Sequence, residues 1–209
     1  MTPISSLITP LSKTNRAFIQ AKIDTKTKPL GSLGVLELLA LQLALITEQR
    51  TQKNTDTCSV NQISIKNPAM LVFAGDHGIN EESVSIAPSA VTQQMVLNFL
   101  HGGAAINCFC QSNDIALTVI DCGILQPINQ GDMPSLTQGK VTAVKLIEQR
   151  LGGGTNNFSV EAAMSITQLE QGFEYARTLV DNQVSQGVEL LLLGEMGIAN
   201  TSSASAIMA

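Results

Sequence analysis

The chain has 209 residues, of which 44% are hydrophobic, 14% charged and 3% aromatic, and its formal net charge is −5. Such a composition excludes an intrinsically disordered chain, which needs low hydrophobicity with high net charge. The 12 basic residues are scattered, which excludes a surface built to neutralise nucleic-acid phosphates.

The length suits one generous domain, or one domain with a small satellite, and the core has to be aliphatic. Met1 to Gln20 contains no apolar stretch of the signal-peptide kind. The apolar runs Leu36–Ile46 and Val188–Leu193 are too short to cross a bilayer. A soluble cytoplasmic protein with neither membrane nor nucleic-acid partner is expected. Cys58, Cys108, Cys110 and Cys122 form no CxxC pair, so free thiols in a reducing compartment are the plain reading.

In chain order, Val35 to Thr47 places Leu36, Leu39, Leu43 and Ile46 at helical spacing, after the loop Lys28-Pro-Leu-Gly-Ser-Leu-Gly34. Residues 1–50 read as a helical segment of a small domain, and residues 51–209 as a partial Rossmann-like α/β domain. Gln49–Asn67 is polar and reads as a loop with room for a short strand at Gln62–Ile65. Three continuous apolar runs predict buried parallel strands: Ala69–Ala74, Ile115–Ile120 and Val188–Leu193. Helical patterns lie between them, at Val91–Asn113 and Thr167–Val184. The second has capping-box spacing at Thr167-Gln-Leu-Glu170. Leu125–Val144, with Pro127, Gly131, Pro134 and Gly139, reads as an irregular connection. Strands alternating with helices predict a parallel sheet flanked by helices.

In an open parallel sheet, ligands bind at the carboxyl ends of the strands. Each predicted strand runs into acidic and glycine residues, so Asp76, His77, Asp121 and Glu195 are expected on one rim. Taken singly, each has a duller explanation as a cap or a solvated loop residue. The segment Gly194-Glu-Met-Gly-Ile-Ala-Asn-Thr-Ser-Ser203 reads as a strand, a glycine turn and a helix start, where backbone amides with Thr201 and Ser202 suit a phosphate. Glu195 suits ribose hydroxyls or proton transfer better than phosphate. Arg150-Leu-Gly-Gly-Gly-Thr-Asn-Asn157 is a second glycine-rich loop. It is neither a Walker A motif nor a dinucleotide fingerprint, and it reads equally as a pocket lining or a surface loop. His77 reads as a core histidine rather than a metal ligand, since His101 is the only other histidine.

Several blocks resemble the nicotinate-nucleotide:dimethylbenzimidazole phosphoribosyltransferase family. Lys28-Pro-Leu-Gly-Ser-Leu-Gly-Val-Leu-Glu-Leu-Leu-Ala40 is similar to its opening K/R-P-x-G-x-L-G-x-L-E-x-L-A, and Phe73-Ala-Gly-Asp-His-Gly78 to its A-D-H-G segment. Val84–Pro88, Val91–Met95, Asn98–Asn107, Gly154–Phe158 with Ala162–Ser165, and Gly194–Thr201 follow in the family's order. The resemblance implies transfer of the 5-phosphoribosyl group from nicotinate mononucleotide to 5,6-dimethylbenzimidazole in cobalamin lower-ligand synthesis. It implies no cofactor and no metal. The region Asp76 to Met95, with His77, Ser85, Pro88 and Gln94, would line the aromatic-base site. Glu195 would support catalysis beside the ribose. Gly197, Asn200, Thr201 and Ser202 would hold the phosphate, and Gly153 and Asn157 would shape the same pocket.

The family extends further than this chain and places its catalytic base glutamate in that later part. The chain is therefore expected to lack the C-terminal part of the fold and to be inactive alone, working as a homodimer or with a complementing C-terminal fragment. Two other readings stand beside this one. A non-catalytic ligand-binding or interaction protein could retain half of the fold. An unrelated Rossmann-type oxidoreductase is disfavoured by the missing GxGxxG.

Overall fold

The computed structural model describes residues 9–51, 63, 65–132 and 144–209. It contains two compact units, Met1–Ser64 and Ile65–Ala209. In the first, helix α1 (Arg16–Asp24) packs on helix α2 (Val35–Thr51), burying Ile19 with Leu41, Ala44 and Leu45. This corrects the face read from spacing. Leu36, Leu39 and Ile46 are exposed and Leu43 is half-buried. The run Val-Leu-Glu-Leu-Leu-Ala-Leu-Gln-Leu-Ala-Leu-Ile is apolar nearly all round, so its period cannot select a side. In the first turn of α2, Glu37 accepts the amide of Leu33 from the preceding loop at 3.1 Å and pairs with Lys28 at 2.8 Å, tying that loop to the helix start.

The second unit is built on a four-stranded parallel sheet in the order β3-β2-β1-β4, comprising β1 (Ala69–Gly75), β2 (Ala116–Gly123), β3 (Lys145–Glu148) and β4 (Leu191–Met196). Successive side chains point to opposite faces. Val72, Ala74, Leu117 and Val119 join one core with Val96, Phe99 and Leu100 of helix α3 (Ala90–Leu100) and Cys110 of helix α4 (Ala105–Ser112). Leu71 and Ile120 meet Leu179 of helix α5 (Ile166–Ser185) in another. Helices thus cover both faces of β1 and β2 in this α/β sheet, as their apolar runs require. The strand expected to be buried at Val188–Leu193 is only half-buried at the sheet edge, with Leu193 72% exposed.

Four local expectations change. The single helix expected over Val91–Asn113 is two, split at His101–Ala104. Gly102 takes φ +78, and buried Asn107 accepts the Ala104 amide at 3.0 Å while donating to the Phe99 carbonyl at 2.8 Å. The cap of α5 lies earlier than Thr167. Ser165 Oγ accepts the Gln168 amide at 3.2 Å, and Gln168 Oε1 accepts the Ser165 amide at 2.8 Å. β4 starts at Leu191 rather than Val188, because Ala69 pairs with Leu191. Glu195 therefore lies inside the strand opposite Phe73, not in the turn. β2 runs on through Asp121 to Gly123.

β3 and the one-turn 3-10 helices Gly78–Glu82 and Gln130–Asp132 were not foreseen. Of the strand expected at Gln62–Ile65, residues 62 and 64 lie outside the described residues, and Ile63 and Ile65 are in no strand. Residues 133–143 of the irregular connection also lie outside the described residues.

Candidate functional site

The strand order reverses between β1 and β4, since the chain builds outward from β1 through β2 to β3 and then returns to β1's other side. That reversal leaves a crevice beyond the carboxyl ends of the two strands, where open α/β sheets take ligands. From β1 the chain passes through Asp76 and His77 into the helix Gly78–Glu82. From β4 it passes through Gly197 to Ala199, which takes φ +71, and into helix α6 (Asn200–Met208).

The two connections touch. A side chain at Gly197 would meet the Gly75 carbonyl oxygen and stand 2.8 Å from His77 Nε2. Only glycine permits that approach.

Asp76 is buried at 4% exposure. Its amide donates to the Gly123 carbonyl at 3.1 Å, and its carbonyl accepts the Thr155 amide at 3.0 Å. One carboxylate oxygen, Oδ2, accepts the Leu125 amide at 2.8 Å. The other, Oδ1, is buried without a partner among the described residues. His77 Nδ1 lies 2.9 Å from Ser203 Oγ in α6. Desolvation holds its imidazole below the usual value, with the charge of Asp76 opposing, so the ring is neutral at physiological pH. Glu195 is pushed above the usual carboxylate range by partial desolvation, and its hydrogen bond with Asn200 works the other way.

Asp121 does not join them on the rim. It is 1% exposed, and its Oδ1 accepts the Gly123 and Ile124 amides at 2.8 and 2.9 Å. Its Oδ2 pairs with Arg150, which also donates to the Ile124 carbonyl at 2.7 Å. A charge this buried has to be paired, and the pair fastens the turn after β2 to the start of the glycine-rich loop. That loop is latched to the turn after β1. Thr155 Oγ1 accepts the Gly78 amide at 3.1 Å, and Asn157 Nδ2 donates to Glu82 Oε1 at 2.7 Å. Ser159 Oγ donates to the same carboxylate oxygen at 3.1 Å.

Asp76, His77 and Glu195 line one cleft of about 230 Å³. Phe73, Leu151 and Met164 form its apolar walls, and Cys122, Thr155 and Gln168 add polar edges. Among the described residues no lysine or arginine lines it. Burial and nearby Asp121 push the Cys122 thiol up to about 11, which leaves it protonated and unreactive at neutral pH. A second, largely apolar hollow of about 300 Å³ shares Phe73, Cys122, Leu151 and Met164 and continues along α5 to Phe173 and Tyr175.

The remaining candidates do not line the cleft. Gly197 forms the close contact already described, and Asn200, Thr201 and Ser202 lie in the first turn of α6. There the Ile198 amide is taken by Thr92 Oγ1 at 3.1 Å, and those of Asn200 and Ser202 by turn carbonyls. Ser85 Oγ accepts the Ala87 amide, Pro88 and Gln94 are exposed, and Met95 packs against the α3 core. Gly153 is exposed and Asn157 is buried in the latch. Phe73, Leu151, Met164 and Gln168 escaped the sequence reading as site residues. The first three look like ordinary core residues, and Gln168 carries a signal only as the partner of the Ser165 cap.

A phosphoribosyltransferase family model matches residues 8–209. The nicotinate-nucleotide–dimethylbenzimidazole phosphoribosyltransferase of Vibrio parahaemolyticus is 56% identical over 193 residues, covering 92% of this chain and 53% of that protein. The protein of the same name from Shewanella baltica is 50% identical over 206 residues, covering 99% and 54%. The crystal structure of CobT from Thermus thermophilus superposes with a TM-score of 0.72 at 34% identity, over 91% of this chain and 50% of that one. The chain spans about half the length of the relatives it matches. On this match across nearly its whole length, the chain belongs to the phosphoribosyltransferase family of the nicotinate-nucleotide–dimethylbenzimidazole enzymes.

Proposed function

We propose that this chain supplies part of a site that moves the 5-phosphoribosyl group of nicotinate mononucleotide to 5,6-dimethylbenzimidazole, forming α-ribazole phosphate and nicotinate in cobalamin synthesis. The observation that carries the reading is the crevice at the β1/β4 reversal, where Asp76, His77 and Glu195 meet beside the start of α6. In the proposed reaction an azole nitrogen forms the new bond to the anomeric carbon as the bond to the nicotinate nitrogen breaks, and the azole then gives up its proton.

Glu195 lies by the ribose, where a carboxyl raised above its usual range by desolvation is a better proton acceptor than an ordinary one. The first turn of α6, with Gly197, Asn200, Thr201 and Ser202, takes the phosphate by its helix-end field. Ser85, Pro88, Gln94 and Met95 serve the aromatic base, and Gly153 and Asn157 shape the loop beside it. A second copy of the chain, or a complementing polypeptide, completes the site. The setting is cytoplasmic. Among the described residues no helix is long and apolar enough to cross a membrane.

Titration calorimetry of the 209-residue chain with nicotinate mononucleotide, paired with chromatographic detection of α-ribazole phosphate, tests this. Saturable binding is expected, weakened by Thr201→Glu, which sets a negative charge at the helix start. Turnover by the chain alone is expected to fall ~10²–10⁴-fold or more below that of a full-length relative, the usual cost of missing acid–base help. Absence of binding by the chain, both alone and mixed with the remaining half of a relative, refutes the reading.

A further inference from the structure

Among the polar side chains of the cleft, Thr155 Oγ1 takes the Gly78 amide, Gln168 bonds Ser165 and the Leu151 carbonyl, His77 Nδ1 meets Ser203 and Glu195 meets Asn200. Asp76 Oδ1 has no partner, although the residue is 96% withdrawn from solvent by its 4% exposure. An acceptor left unmet in such a place costs on the order of 1–3 kcal/mol, and more when it is charged. Its sister oxygen is fixed by the Leu125 amide, and its backbone is fixed on both sides by Gly123 and Thr155. The carboxylate is thus held in one orientation with one oxygen unspent.

Among the described residues the cleft has no lysine or arginine in its lining and carries two carboxyls, so an anionic group is repelled from it. An uncharged donor is what the geometry accepts, and the apolar wall of Phe73, Leu151 and Met164 suits the carbon face of a small ring.

We infer that Asp76 is a sugar-recognition residue, its Oδ1 accepting a hydrogen bond from a ribose hydroxyl of the bound nucleotide. The inference rests on the proposed function and narrows it: the phosphate stays at α6, outside the cleft, and the furanose ring enters it.

Asp76→Asn tests the assignment, because asparagine keeps an oxygen for the Leu125 amide and puts a donor where the unspent acceptor was. Calorimetry of the unaltered and D76N chains would use nicotinate mononucleotide, D-ribose 5-phosphate and nicotinic acid, with a thermal melt of each chain. The expected result is a loss of ~10-fold or more in affinity for the first two ligands. Nicotinic acid, which has no sugar and meets one carboxylate fewer in D76N, should bind that chain no more weakly than the unaltered one, and the D76N melt should match or exceed that of the unaltered chain. Equal affinity for nicotinate mononucleotide in both chains overturns the assignment while leaving the proposed function standing. A melt well below that of the unaltered chain shows that Oδ1 serves the fold, and overturns it too. Failure of the unaltered chain to bind either phosphorylated ligand overturns both the proposed function and this inference.

Discussion

Gly78 offers a sharp test of how the rim of the sheet is held. A methyl group at this position would sit 2.5 Å from the Thr155 carbonyl oxygen and the Asn156 carbonyl carbon, and 2.6 Å from the Asn157 nitrogen. All three are main-chain atoms, so no side chain can swing aside. Ordinary contact begins at 3.4 Å, so the two segments must part by about 0.9 Å. The hydrogen bond from the Gly78 amide to Thr155, now 3.1 Å, stretches with them.

Overpacking of this kind costs ~1–3 kcal/mol, while replacing glycine returns ~0.4–1 kcal/mol through the unfolded chain. The net expectation for Gly78→Ala is a loss of ~1–2 kcal/mol. In a unit of this size that lowers Tm by ~2–8 °C. Gly153→Ala is the control: it lies in the same glycine-rich loop, yet nothing stands within 4 Å of its added methyl, and a change within ~0.5 kcal/mol is expected. Urea titration followed by circular dichroism reads both variants. Equal midpoints for the two would show that the turn after β1 and the loop are not in the described contact.

Three further outcomes follow from the same geometry. Arg150→Met removes the partner of buried Asp121 and should cost ~2–3 kcal/mol, below the usual range for a broken buried pair because Arg150 keeps 25% exposure. Adding Asp121→Asn should return at least ~1 kcal/mol of that in a double-mutant cycle, and simple additivity would contradict the pairing. Ser165→Ala should lose ~1 kcal/mol while Thr167→Ala changes little, since the cap of α5 is at Ser165; the reverse order in chemical denaturation would restore the cap read from the sequence. His77 is held below its ordinary 6.5 by desolvation, so acid protonates the unfolded chain first. The stability tied to that imidazole is full above about pH 6.5 and is lost as the pH falls toward the folded value. His77→Gln should flatten this part of the stability profile, and an unchanged slope between about pH 7 and 5 would count against it.

The parallel sheet was legible because β1 and β2 are largely buried on both faces and so read as unbroken apolar runs, and β4 also begins as a continuous apolar run, although Leu193 within it is 72% exposed. β3 was not, being four residues long with exposed Lys145 and Glu148 at its ends. The start of β4 was misread because Val188 and Leu190 flank Glu189 and extend the apolar run toward the N-terminus. What excludes them is that Ala69 sets the register from the neighbouring strand, a fact no local window contains. In the site, Asp76, His77 and Glu195 were readable from their places at strand ends. Asp121 stands at an equivalent place and is buried like Asp76, but its carboxylate is spent on Arg150, 29 residues away, which no local window shows. The split between α3 and α4 was written in Gly102 and Gly103, but an apolar pattern on either side concealed it.

The latch between Glu82 and the pair Asn157 and Ser159, with Gly78 held to Thr155, bears on how this protein can be recombined with its relatives. Two stretches some 75 residues apart in the chain form one mechanical part. A chimera that imports one stretch alone inherits an acceptor without its donors, or donors without their acceptor, and the buried Asn157 amide then lacks its partner. Crossovers should therefore succeed when both stretches come from the same parent and fail when the parents alternate between them, whichever relative supplies the remainder.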